Sequence, residues 1–142
     1  IHGPPYIQML NVKRNREGTM KLNQIAALSL VLSFMTVPAY SADCSDAYSY
    51  ADDAYTQAKR GYNSDNLDDA EYYAKKAMSA AEDAMSAAED CGCDDAYSAA
   101  DDAYSYARKA YRSGDYDDAI DYLRRAKSSA DDAMSYADDC GS

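Results

Sequence analysis

The chain has 142 residues, 25 acidic against 14 basic side chains, a net charge of −11, fifteen tyrosines, one phenylalanine and no tryptophan. So acidic a composition weighs against nucleic acid and anionic membrane surfaces as partners, because phosphate binding needs clustered cations. From Ala42 onward there is no histidine, the side chain that most often performs general acid-base work, and no enzymatic role is expected.

Residues 1–19 begin without Met and read as an upstream, non-structural segment, with a longer basic leader from Met9 as the other reading. Residues 20–42 read as a secretory signal peptide. Lys21 is followed by an apolar run from Ile25 to Val37 and then by Pro38-Ala39-Tyr40-Ser41-Ala42, the small-residue pattern of a cleavage site near Ser41 or Ala42. Thirteen apolar residues are too few to span a bilayer, so no membrane insertion is expected after cleavage. Asp43 stands before Cys44 where a lipoprotein signal requires a small residue, which argues against a lipid anchor. These features predict a secreted, extracellular protein, with the periplasm as the alternative.

Residues 43–92 and 93–142 are two units of one 49-residue repeat, identical at 28 of 49 aligned positions from Cys44/Cys93 to Gly92/Gly141. The units meet at Cys91-Gly92-Cys93 with no linker, and abutting repeats of this kind stack. From Ala42 onward 24 acids face 10 bases, a net charge of −14. The only large aliphatic side chains there are Leu67, Ile120 and Leu123, beside Met78, Met85 and Met134. So thin a core calls for staples.

Cys44, Cys91, Cys93 and Cys140 supply them. Three pairings are possible in principle; if each unit is a helical hairpin, its two ends coincide and Cys44–Cys91 and Cys93–Cys140 are the local choices. A Cys-x-Cys flanked by distant single cysteines is poorly spaced for zinc, and no metal or other cofactor is expected.

A shorter period names the secondary structure. Alanines recur at steps of four and three in heptads such as Asp101-Asp102-Ala103-Tyr104-Ser105-Tyr106-Ala107, the pattern of a left-handed helical seam written in the best helix former. Asn63-Ser64-Asp65-Asn66 and Ser113-Gly114-Asp115 break each unit and offer N-caps followed by acids that suit a helix N-terminus. The spacing predicts helices over about 45–63, 67–90, 94–112 and 116–139. The expected fold is all-α: two tandem, disulfide-stapled antiparallel hairpins that stack as a solenoid.

Gly114-Asp115-Tyr116-Asp117-Asp118-Ala119-Ile120, with Tyr122 and Ala126, resembles the middle of a tetratricopeptide repeat. The resemblance covers about fifteen residues; the first unit has Asp65 in place of the glycine, and the period is 49. It implies a paired-helix scaffold that interacts with proteins, and no particular binding residue.

Asp-Asp pairs recur along the chain, but adjacent helical residues point about 100° apart, so they read as a solvated acidic face. A calcium site at the turns lacks EF-hand spacing, and capping explains those acids. Tyr48, Tyr55 and Tyr62, like Tyr97, Tyr104 and Tyr111, repeat every seven residues beside the seam. They and Met78, Met85 and Met134 either cover the alanines or, in surplus, mark an interface. Ser49, Thr56, Ser79, Ser86, Ser98, Ser105, Ser128 and Ser135 fall on outward heptad positions and are candidates for O-linked glycans. Acid gathers at the cysteine ends and Lys/Arg bands nearer the turns, so each hairpin is electrically polar. Near-identical units without a distinct cap suggest growth at both ends. The expectation is a structural subunit whose partner is itself, in a head-to-tail, pilus-like extracellular filament. The alternative is a secreted or periplasmic adaptor that binds other proteins.

Overall fold

A computed structural model describes residues 43–142, so the expected signal peptide and the segment before it lie outside the described residues. Four helices follow one another: α1 (Ser45–Tyr62), α2 (Leu67–Cys91), α3 (Asp94–Tyr111) and α4 (Tyr116–Cys140), and among the described residues there is no strand. Their ends fall within a residue of the positions that the alanine spacing predicts.

Caps and turns set those ends. The backbone N–H of Asp69 donates to Asn66 Oδ1 at 2.9 Å while Asn66 Nδ2 donates to Asp69 Oδ2 at 2.8 Å, so the cap and the first turn of α2 hold each other. Asp115 caps α4 by accepting from the N–H of Asp118 at 3.1 Å. At the junction of the units Gly92 adopts φ +75°, which lets the N–H of Cys93 reach back to the carbonyl of Ala88 at 2.9 Å. The chain thereby leaves α2 and enters α3 after two residues.

Each helix lies against two neighbours, α1 on α2 and α4, α3 on α4 and α2, while the diagonal α1 and α3 barely meet. The result is a closed four-membered ring. An open solenoid would hold the first and fourth helices apart, so the tetratricopeptide-like stacking expected from the sequence gives way to a bundle. The reason lies in the seam itself: each helix carries alanine at both of its inward heptad positions, and a ring is the arrangement that buries all four stripes at once.

The core is accordingly built in layers with one alanine from each helix. Ala51, Ala84, Ala100 and Ala133 form one, and Ala54, Ala81, Ala103 and Ala130 the next. Burying alanine forfeits no side-chain entropy, and its small size lets the backbones approach closely. Leu123 is the largest fully buried side chain. It fills the space left by Gly61, where an added Cβ would lie 2.9 Å from Leu123 Cδ1. At the equivalent place across the ring the pair is Ala110 and Ala74.

Disulfides join Cys44 to Cys91 and Cys93 to Cys140, with Cα atoms 5.4 and 6.0 Å apart. Both lie at one end of the bundle and both turns at the other. Two such bonds fit an oxidising environment. Among the described residues no helix is long and apolar enough to cross a membrane.

Candidate interaction faces

Ring closure sorts the tyrosines and methionines singled out in the sequence. Tyr55, Tyr62 and Tyr104 and Met78, Met85 and Met134 are half-buried against the alanine layers. Tyr62 lies at a seam between the units, where Lys127 of α4 stands over its ring. Tyr48, Tyr97 and Tyr111 stay exposed. Four other tyrosines lie open that the seven-residue recurrence does not flag: Tyr50, Tyr72, Tyr116 and Tyr136. Tyr72, the most open at 53%, sits on the outermost heptad position of α2, a signal present in the sequence. Tyr116 has a structural task besides, for its hydroxyl donates to the carbonyl of Ser64 at 2.6 Å and ties the two turns together.

Of the outward hydroxyls, Ser49, Ser79, Ser86, Ser98, Ser128 and Ser135 are exposed, while Thr56 and Ser105 are half-buried. Despite the many Asp-Asp pairs, no three acidic, histidine or cysteine side chains among the described residues come together so as to hold a metal ion.

Charge divides the bundle across its long axis. Residues 43–54, 80–103 and 129–142, which make up the half with the disulfides, hold sixteen acidic side chains and no basic one. Residues 55–79 and 104–128, the half with the turns, hold eight acidic side chains and all ten basic ones among the described residues. Among the described residues every cation–π contact therefore lies in the turn half. Lys76 stands 4.7 Å from the ring centre of Tyr72, Lys109 5.0 Å from that of Tyr106, and Lys127 5.4 Å from that of Tyr62. Asp121 is bound there by Arg124 and Arg125. The hydrogen bond from Arg124, with the nearby charge of Arg125, holds its carboxyl below the usual carboxylate range, and Asp121 in turn raises Arg125. A depressed carboxyl adds stability above its ordinary pKa and loses it as pH falls through the folded value; in a cluster this open to solvent that contribution is small.

Grooves follow the same division. Between α1 and α2 at the turn end runs a groove of about 520 Å³ lined by Lys59, Arg60, Asp65, Asp69 and Tyr73. Its counterpart between α3 and α4, about 500 Å³, is lined by Arg108, Lys109, Arg112, Asp118 and Tyr122. Most of these residues correspond one to one under the 49-residue offset, so the duplication has made one tyrosine-floored groove twice, charge-balanced between α1 and α2 and net basic between α3 and α4. Nearer the disulfides each hairpin also has an acidic groove: Asp43, Asp46, Asp83 and Asp90 with Tyr50 in the first, Asp95, Asp102 and Asp132 with Tyr136 in the second. Because α1/α2 and α3/α4 are opposite sides of the ring, the same acid-then-base face looks out in two opposed directions.

Set against family models, curated proteins and solved structures, the chain gives no match in any of the three comparisons. The tetratricopeptide resemblance thus rests on the segment from Gly114 to Ala126 alone.

Proposed function

We propose that the protein is an exported structural subunit that associates with copies of itself into an extracellular fibre and has no catalytic task. The observation that carries this reading is the bipolar outer face repeated on two opposed sides of one small bundle. A molecule with one such face would stop at a dimer; a molecule with two can bind a neighbour on each side and continue. The ring buries both alanine seams, so head-to-tail stacking of hairpins has no open seam to use and growth runs through the outer faces. Exposed tyrosines add contact area of the kind enriched at interfaces, and the disulfides would preserve the subunit outside the cell. The open serines of the outward row would then be available to O-linked glycans.

Negative-stain electron microscopy of the exported, oxidised protein, with sedimentation over a range of micromolar concentrations, tests the reading. The expected result is concentration-dependent association that proceeds to fibres. A monomer at every concentration overturns it and leaves the adaptor that binds other proteins.

A further inference from the structure

The two outer faces are not equal. In the α1/α2 groove at the turn end, Lys59 and Arg60 are opposed by Asp65 and Asp69, and Asn63 stands where the other face has Arg112. In the α3/α4 groove three cations, Arg108, Lys109 and Arg112, meet a single carboxylate, Asp118. The second face therefore carries uncompensated positive charge at its turn end and only negative charge in the acidic groove beside it. That groove holds Asp95, Asp102, Asp132 and Tyr136, the last 43% exposed.

We propose that the α3/α4 faces of two molecules pair antiparallel about a twofold axis, the basic groove of each receiving the acidic groove of the other. The inference rests on the self-association reading and names its first contact. Charge complementarity selects the occupant. The cysteine half of a second molecule offers Arg108 and Arg112 sixteen acids without a base. Of its two acidic grooves only the α3/α4 one, with three carboxylates to the four of α1/α2, lies on the same face as the basic groove, so that one twofold contact satisfies both molecules. Geometry selects the orientation. Asp95 and Arg112 lie near opposite ends of α3, roughly 25 Å apart at 1.5 Å per residue, so reversing one molecule brings acid over base at both ends of the contact in a single register. The twofold makes each attraction twice. Tyr136 brings a flat aromatic body to the guanidinium groups of the partner molecule, a stacking partner that arginine accepts and lysine accepts less well.

An isologous contact of this kind closes on itself. Dimers joined through α3/α4 would thus form first, leaving the weaker α1/α2 faces outward on both sides. Fibres would grow from dimers at higher concentration. Ionic strength does not discriminate here, because salt screens the net repulsion between two acidic molecules as well as the local attraction; charge exchange does.

The test uses two variants of the whole oxidised protein, Arg108→Glu with Arg112→Glu, and Asp95→Lys with Asp102→Lys, followed by sedimentation velocity. All four positions are exposed, and far-UV circular dichroism checks that the helices persist; Arg108→Gln with Arg112→Gln is the milder companion that removes attraction without adding repulsion. Each reversed variant alone should dimerise about a hundredfold more weakly than the wild type, the Gln pair should fall between, and an equimolar mixture of the two reversals should form a heterodimer. Wild-type protein that associates while both reversals behave like it leaves self-association standing and overturns this contact. Reversals that dissociate but do not recombine when mixed overturn the antiparallel pairing. A wild type that stays monomeric removes the self-association reading and this contact with it. If such a monomer binds heparin or polyglutamate through Arg108 and Arg112, the groove is a polyanion site instead.

Discussion

The two ends of the bundle share one alanine core and are held by opposite means. At the cysteine end the layers are nearly symmetric between units, and covalent bonds join helices whose surroundings repel. Glu89 and Asp90 close α2, Asp138 and Asp139 close α4, and neither helix has a basic side chain in its last turn. Negative charge there opposes the helix dipole as well as the neighbouring acids. At the turn end there is no covalent link. That end instead concentrates the departures from symmetry: Leu123 in the space of Gly61, Tyr116 reaching Ser64, the Asp121 cluster with its two arginines, and the lysines over tyrosine rings. One end is fastened against its own charge, and the other is fitted together.

Breaking the fastening should have the largest effect. Each disulfide closes a loop with a sequence separation of 47, for which the chain-entropy relation gives about 4 kcal/mol. Reduction of both bonds is expected to bring the bundle to the edge of unfolding, since alanine layers bury little apolar surface. Hydrogen exchange should show the first and last turns at the cysteine end opening before residues 58–77 and 107–126. Uniform loss of protection along the helices would mean that the bonds act through the unfolded chain alone.

Breaking the fit should come next. Leu123→Ala leaves a cavity beside Gly61 and should destabilise by about 3 kcal/mol. Gly61→Ala gains helix propensity of about 1 kcal/mol but forces a Cβ against a leucine that is fully buried and cannot swing aside, so it should be destabilising on balance. The double substitution rebuilds the Ala110/Ala74 arrangement of the opposite seam and should be more stable than Leu123→Ala alone. Chemical denaturation of the four proteins gives the coupling; additive losses would show that Gly61 and Leu123 are not a matched pair.

Much of this was legible in the residues, and the rest was not for a definable reason. Every alanine on the four seams is buried, because a step of four and three in so regular a chain leaves one face for the core. The starts of α2 and α4 were readable from Asn66 and Asp115. The charge polarity was readable too, since it is a property of position along each helix. Ring closure was not. An alanine seam flanked by medium-sized side chains states that a helix has neighbours on two sides without stating which helices they are. That choice depends on which helix each flanking side chain meets, as Tyr62 of α1 meets Lys127 of α4, and no single helix reveals it. The paired grooves were hidden for the same reason, being products of two helices meeting. Gly61 broke no pattern either, since it occupies a seam position and its meaning comes from Leu123, far along the chain.

The smallest effect separates the two ends by sign. Glu89→Lys with Asp138→Lys places a cation in the last turn of α2 and of α4, where the dipole favours it and the surrounding acids attract it. Stabilisation of about 1 kcal/mol is expected for the pair, shrinking at high salt as exposed charges are screened. Asp68→Lys with Asp117→Lys makes the same change in net charge at the opposite ends of the same helices. There the acids of the first turn suit the dipole, so the substitution should destabilise by a similar amount despite relieving the protein's excess negative charge. Thermal unfolding at low and high salt compares them. If both pairs stabilise, the acidity of the whole molecule governs and the contrast between its ends is secondary; if the signs differ, the cysteine end is the place where charge works against the fold and the disulfides are what it works against.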